Sequence, residues 1–158
     1  MGLRDVNIEL KKMDKSEILK LISEMYKKMP SVKEYLDVYA TGNIKELTEK
    51  YKLKIEKCIY PYGNEMILRD NEARKLISTI RKMKIVDLNI ELELHYVKCC
   101  LEIIRDFGYW DEVYYNNIEK MYYSALNGIA EIGKEKIYEK QLITICDDAS
   151  EYGLELEN

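Results

Sequence analysis

The stretch that decides the fold is residues 87–108, which read DLNIELELHYVKCCLEIIRDFG. In a helix, its apolar side chains would spread over most of the circumference, and only a narrow strip at i, i+3, i+4 and i+7 spacings would be polar. A helix with this pattern is buried nearly all round. Asp87 or Asn89 suits the N-cap, and Gly108 suits the left-handed position after the last turn. The sequence therefore predicts a central core helix over 88–107.

The composition favours a single all-α domain. The chain has 158 residues, 47% of them hydrophobic, with only two prolines and seven glycines. Leu, Ile, Lys, Glu and Met, which favour helices, are frequent. We expect one domain over 1–158, an irregular array of about eight helices built from helix–turn–helix pairs around the central helix, with 153–158 as a frayed tail.

Short signals predict where the other helices begin and end. A polar cap residue followed three positions later by Glu marks a helix start. This spacing occurs at Asp14–Glu17, Ser31–Glu34 and Asn43–Glu46. The remaining expected boundaries are Pro30, Gly42, a turn at YPYGN (60–64), Asp70 or Asn71, Asp111, Gly133, and a last helix from Lys134 to about Tyr152.

Membrane and secretory signals are missing from the sequence. No run of about 18 uncharged apolar residues occurs, and the start MGLRDVNIELKKMDK lacks the apolar core of a signal peptide. The four cysteines, at 58, 99, 100 and 146, form neither a CxxC pair nor a disulfide framework. We expect a cytoplasmic protein in a reducing compartment, with no membrane partner.

Charge is divided unevenly along the chain. Residues 1–85 hold 19 Lys or Arg against 13 Asp or Glu, a net charge of +6, whereas residues 86–158 hold 6 against 16, a net charge of −10. Either the basic half meets an acidic partner, or the two halves attract each other within or between molecules.

Two groups on the central helix have the residue types of a chemical site. Glu91, His95 and Cys99 fall at i, i+4 and i+8, but a zinc site needs further ligands and His95 is the only histidine. We therefore expect an i,i+4 pair, with no metal, cofactor or catalytic residue. Glu93 points into the apolar arc, where an unpaired carboxylate would have a raised pKa, and an Arg or Lys from the fifth helix is its expected partner.

Two surfaces are candidates for binding. The basic residues Lys50, Lys54, Lys57, Arg74 and Arg81 would form a phosphate-binding face if the fourth and fifth helices lie side by side. Fourteen tyrosines stand against one phenylalanine, and the aromatic cluster at the start of the seventh helix is a candidate partner-binding surface comprising Tyr109, Trp110, Tyr114 and Tyr115.

Two segments resemble a family of small bacterial proteins known only as a domain of unknown function. They are DKSEILKLISEMYKKMPSVKEYLD (14–37) and IIRDFGYWDEVYYNNIEKMYYSAL (103–126). The resemblance implies an all-helical cytoplasmic protein and no assigned activity. The family commonly has a proline after the Asp-Glu pair, where this chain has Val113; a first-turn proline is optional in a helix.

The first hypothesis from the sequence is a non-enzymatic module for protein–protein interaction. The alternative is a nucleic-acid-binding accessory protein that uses the basic face. A third hypothesis is an enzyme or ligand-binding protein with a pocket centred on Glu93.

Overall fold

The computed structural model describes residues 2–60, 68–108 and 111–157. All regular secondary structure in these ranges is helical, which confirms the all-α class. The helices are α1 Leu3–Leu10, α2 Lys15–Lys28, α3 Pro30–Thr41, α4 Lys45–Ile59, α5 Asp70–Arg81, α6 Val86–Phe107, α7 Glu112–Ile132 and α8 Glu135–Glu151. They group into two compact units, the N-terminal unit Met1–Asn43 and the C-terminal unit Ile44–Asn158, and we describe each by itself. The single domain over 1–158 stays a prediction.

The predicted capping box at the start of α2 is confirmed. The Asp14 carboxylate accepts from the Glu17 backbone N–H at 2.9 Å, and the Glu17 carboxylate accepts from the Asp14 N–H at 2.8 Å. The box predicted at Ser31 is wrong, because Pro30 takes the first helical position and Met29 becomes the N-cap. A proline fits that position since its fixed φ is helical and its missing N–H would have had no partner.

Within the N-terminal unit, α2 and α3 form a hairpin held by Asp37. Its carboxylate accepts from the Tyr26 hydroxyl at 2.7 Å and from Lys33 Nζ at 2.5 Å, and the Lys33 ammonium lies 5.1 Å from the centre of the Tyr26 ring. None of residues 2–43 is buried, however. The hairpin therefore has polar links between its helices but no enclosed core of its own.

In the C-terminal unit, α6 is the central core helix, as the sequence predicts. Twelve of its 22 residues are buried, and it packs against α4, α5, α7 and α8. Later residues of α4 and α8 contact later residues of α6, so these two helices run parallel to α6. Later residues of α5 and α7 contact earlier residues of α6, so these two helices run antiparallel to it. The direction thus alternates along the chain from α4 to α8, and four of these helices pack around the buried α6.

Several boundaries in the C-terminal unit lie one or two residues from their predicted positions. Ile44, Arg69 and Ile85 are the N-caps of α4, α5 and α6, so the caps predicted at Asn43, at Asp70 or Asn71 and at Asp87 or Asn89 are wrong. Asp70 and Asp87 lie inside their first turns, where they pair with Arg74 and Lys134. Of the predicted turn at 60–64, only Tyr60 is among the described residues, and it caps the end of α4.

Other boundaries are confirmed. The Asp111 carboxylate caps α7 by accepting from the Tyr114 N–H at 2.9 Å. Gly42, Gly108 and Gly133 end α3, α6 and α7 with φ between 64° and 66°, a conformation that favours glycine.

The prediction of a frayed tail over 153–158 is wrong for residues 153–157, the part of the tail that the structure describes. Leu154 and Leu156 are both only 8% exposed, and the Leu154 N–H donates to the Ala149 carbonyl at 3.0 Å. The Glu157 N–H donates to the Tyr123 hydroxyl at 3.4 Å. Both leucines are therefore part of the buried core of the C-terminal unit.

Candidate functional site

A ladder of polar contacts joins α4 to α6, and we call it the polar seam. Its first contact is Lys52 Nζ to the Glu91 carboxylate at 2.9 Å, and its second is the Glu56 carboxylate to His95 Nε2 at 3.0 Å. In its third, the Tyr60 hydroxyl donates to the Glu102 carboxylate at 3.0 Å. The α4 members are four residues apart, about one helical turn, so they line one edge of that helix.

The seam also places the sequence candidates Glu91, His95 and Cys99 in structural contacts. Glu91 accepts from the Tyr138 hydroxyl of α8 at 2.9 Å in addition to Lys52. His95 Nε2 lies 3.6 Å from Cys99 Sγ, so Glu56 and Cys99 share one ring nitrogen. Within residues 2–60, 68–108 and 111–157, no three His, Cys, Asp or Glu side chains converge in a way that could hold a metal ion.

The contact between His95 and Cys99 is not arranged for nucleophilic catalysis. A catalytic dyad needs one imidazole nitrogen for the nucleophile and the other for an orienting group, whereas here both neighbours approach Nε2. Burial raises the pKa of the Cys99 thiol and lowers the pKa of His95. Burial thus favours the neutral form of both groups, which suits packing between helices.

Glu93 has the partner expected from the sequence. Its side chain is 4% exposed, and Arg81 of α5 approaches the same carboxylate oxygen with Nη2 at 2.6 Å and Nε at 2.8 Å. The Ser124 hydroxyl of α7 donates to that oxygen at 3.0 Å. Burial raises the pKa of Glu93, while Arg81 and Ser124 act in the opposite direction. The ion pair links three helices and combines a buried carboxylate with an Arg81 side chain that is 40% exposed.

The polar seam and the Arg81–Glu93 pair also join the basic and acidic halves of the sequence. Lys52 and Arg81 belong to the basic half of the sequence, and Glu91 and Glu93 belong to the acidic half. Both pairs lie inside the C-terminal unit. The two halves thus attract each other within one molecule at these positions.

The predicted phosphate-binding residues fall into two groups. Arg74 contacts Asp70 and the Tyr96 hydroxyl, and Arg81 contacts Glu93, so both guanidinium groups hold structural partners. The lysines at 50, 54 and 57 are exposed on α4, where the ammonium groups of the first two lie 5.5 and 5.1 Å from the centre of the Tyr51 ring. The lysine part of the predicted face is therefore presented on the surface, whereas its arginine part is engaged in helix packing.

The tyrosine-rich surface is described only in part. Tyr109 and Trp110 lie outside the described residues. Tyr114 is 3% exposed and donates its hydroxyl to the Cys100 carbonyl at 2.8 Å, so its ring packs in the core and is removed from the candidate surface. Tyr115 is half-buried, and its hydroxyl donates to the Tyr152 carbonyl at 3.3 Å.

The largest exposed set of apolar side chains lies elsewhere, in the N-terminal unit. We call this set the N-terminal apolar surface; it consists of Leu3, Val6, Ile8, Leu19, Leu21, Ile22, Met29, Tyr35 and Tyr39. Tyr39 is 80% exposed and Leu19 54%. Periodicity offered no separate signal for it, because the apolar residues of α2 form a stripe of ordinary helical period.

A shallow groove lies between α7 and α8. It has a volume of about 290 Å³ and a mainly apolar lining from Leu126, Ile129, Glu135, Lys136, Glu139 and Leu142. Glu93 is not among the residues that line it.

Comparisons with protein-family models, with curated proteins and with solved structures found no match for this chain. The resemblance to a bacterial family of unknown function therefore stays a prediction. No helix in the described ranges has the length and apolar character needed to cross a membrane.

Proposed function

We propose that this protein is a non-enzymatic interaction module that binds another protein through the N-terminal apolar surface. The observation that carries the proposal is the contrast within the first 43 residues. Nine large apolar side chains are exposed there, and none of residues 2–43 is buried. In this proposal, side chains of this set form a contiguous patch, and a contiguous exposed apolar patch marks a surface that another protein covers.

The contacts of the candidate catalytic groups favour the same class of function. Glu93 is buried and bonded to Arg81 and Ser124, and the Cys99 thiol has a raised pKa beside a shared imidazole nitrogen. These arrangements stabilise helix packing. They engage the Glu93 carboxylate in an ion pair and disfavour the thiolate form of Cys99.

The experiment is affinity capture of the tagged full chain from its native lysate, with and without nuclease, using wild type and two matched variants. Leu19→Glu changes the N-terminal apolar surface, and Leu53→Glu changes a leucine of α4 with nearly the same exposure, 55% against 54%. We expect a stoichiometric protein that survives nuclease and is lost only with Leu19→Glu. A captured protein that is retained equally by both variants would refute the proposal.

Nucleic-acid binding is the second candidate, supported by the three exposed lysines of α4. Their contacts with phosphates would weaken steeply with salt. Binding of a labelled oligonucleotide that falls with salt and is reduced by Lys57→Glu, but not by Leu19→Glu, would favour this candidate over the first.

A further inference from the structure

We infer that the groove between α7 and α8 is a binding site for a basic segment of a partner protein. A large apolar side chain of that segment fills the groove, and a neighbouring Lys or Arg meets Glu135 and Glu139. The inference goes beyond the proposed function, because it concerns the C-terminal unit and does not depend on the N-terminal apolar surface. Three features support it: the closed ends of the groove, its size and the charges on its rim.

The walls of the groove are apolar, and its two ends are closed. Leu126 and Ile129 of α7 line one side, and Leu142 of α8 lines the other. Tyr122 precedes Leu126 by four residues, and Cys146 follows Leu142 by four. The Tyr122 hydroxyl lies 3.1 Å from Cys146 Sγ, so the two helices touch one turn beyond the groove. The turn that connects α7 to α8 closes the other end.

The size of the groove suits one or two side chains of a protein segment. Its volume is about 290 Å³, whereas a cavity of about 150 Å³ is enough for a benzene ring. Glu135 and Leu142 are seven positions apart, so the groove extends for about 10 Å along α8. A free small molecule in a shallow groove would stay exposed on one face, whereas small-molecule pockets bury most of their ligand. A side chain of a bound segment is covered on that face by its own backbone.

The rim of the groove carries two carboxylates close to the apolar wall. Glu135, Glu139 and Leu142 have the i, i+4 and i+7 spacing, so they lie along one edge of α8. Both glutamates are exposed, and neither forms an ion pair with another described residue. Lys136 lies two positions before the buried Tyr138, which turns it about 200° from that side chain, toward the outer rim. The charges nearest the apolar wall are therefore negative.

The charges determine which kind of segment fits. Carboxylates one helical turn apart, with Cβ atoms about 5 to 6 Å from each other, can both reach one ammonium or guanidinium group. The surrounding chain is also acidic, since residues 131–158 hold three Lys, no Arg and eight Asp or Glu, a net charge of −5. One of these lysines, Lys134, is already paired with Asp87. A segment with Lys or Arg beside its apolar side chain complements both the wall and the rim.

The test is a fluorescence anisotropy titration of the full chain against a labelled peptide made only of Leu and Lys, long enough for about four helical turns. We expect a Kd on the order of 10 to 100 μM, because one small groove provides few contacts. A peptide with Ala in place of Leu and a peptide with Glu in place of Lys should each bind roughly tenfold more weakly or not at all. Equal binding of either peptide, or no binding of the first, would overturn the inference.

Charge variants locate the site on the chain. Glu139→Lys should weaken binding of the Leu–Lys peptide roughly fivefold or more, and Lys136→Glu should strengthen it severalfold. Asp148→Lys is the matched control: it makes the same charge change on an exposed residue nine positions further along α8, on the opposite side of the helix. It should change the Kd less than about twofold. All three positions are exposed, so the variants should fold, which far-UV circular dichroism would verify. Equal weakening by Glu139→Lys and Asp148→Lys would mean general attraction to an acidic surface and would overturn the groove as the site.

The remaining outcomes concern other occupants and the proposed function. Octylamine that binds more tightly than the peptide would make the occupant a small organic cation, and self-association that Glu139→Lys abolishes would make it a second copy; either result overturns the inference. Leu19→Glu should leave peptide binding unchanged, and peptide binding that it removes would place the site elsewhere. Capture of a lysate protein that is lost with Leu19→Glu, in a chain that does not bind the peptide, would leave the proposed function standing and remove only the groove site.

Discussion

Replacing Gly128 with alanine is expected to destabilise the C-terminal unit, although alanine is the better helix former. Gly128 lies inside α7 where that helix crosses α6. A Cβ atom there would stand 2.9 Å from Ile90 Cγ1, 3.4 Å from Ile90 Cδ1 and 3.6 Å from Val86 Cγ1. Ile90 is fully buried, so its side chain has little room to move aside. The two helices therefore meet at a point that is sized for glycine.

The magnitude follows from two opposing effects. Alanine in a helix interior gains about 1 kcal/mol over glycine, because glycine loses more backbone freedom on folding. An extra methyl group in a packed core costs roughly 1 to 3 kcal/mol. The contact at 2.9 Å involves a branch atom close to the Ile90 backbone, which places the cost toward the upper part of that range. We expect a net loss of about 1 to 2 kcal/mol in the free energy of unfolding.

The assay is urea denaturation followed by far-UV circular dichroism, with Asn127→Ala as the control on the exposed side of α7. Ile90→Ala removes both nearby carbon atoms, so in that background Gly128→Ala should stabilise by about 1 kcal/mol, a reversal of sign. If Gly128→Ala raises stability in the wild-type background, the close approach of α6 and α7 at this position is wrong.

Three further predictions concern the C-terminal unit. Thr48 is buried, and its hydroxyl has no hydrogen-bond partner among the described residues, so Thr48→Val should raise the free energy of unfolding by about 1 kcal/mol in the same urea assay. Burial lowers the pKa of His95, so the folded state favours the neutral ring. The stability that His95 contributes is therefore fully present above its ordinary pKa of about 6.5. That stability is lost as the pH falls through the lower pKa that His95 has in the folded protein. His95→Gln should therefore lose less stability than wild type between about pH 7 and pH 5, and parallel curves for the two proteins would contradict this. Leu154→Ala should cost about 2 kcal/mol, whereas Ile137→Ala, at an exposed position of α8, should cost much less; a harmless Leu154→Ala would mean that the tail is not packed.

The parts of the fold that depend on local pattern could be predicted from the sequence. The central helix is apolar nearly all round, and such a helix is buried where other helices surround it. The caps at Asp14 and Asp111 form because a carboxylate three residues before a free N–H reaches it without help from the rest of the chain. Ser31 has the same local pattern but fails, because Pro30 immediately before it already begins the helix.

Contacts between segments that are far apart in the sequence were harder to predict. The Arg81–Glu93 pair could be expected because a carboxylate in an apolar arc needs a cation, and the neighbouring helix supplies several. The contacts of Glu56 with His95 and of Tyr60 with Glu102 depend on the relative position of α4 and α6, which periodicity within each helix does not determine. The tail is mostly polar, and the two-residue spacing of Leu154 and Leu156 was its only signal of burial.

The polar seam has a consequence for how α4 and α6 find their alignment. Apolar contacts between helices are non-directional, so by themselves they discriminate weakly between alignments that differ by one helical turn. The charges remove that ambiguity. A slip of one turn in one direction sets Glu56 against Glu91, two carboxylates, and a slip in the other direction sets Lys52 against His95 and leaves Glu56 facing the thiol of Cys99. Only the observed alignment gives both α4 residues a suitable partner, so the seam selects one arrangement among near-equals even where each contact adds little to stability.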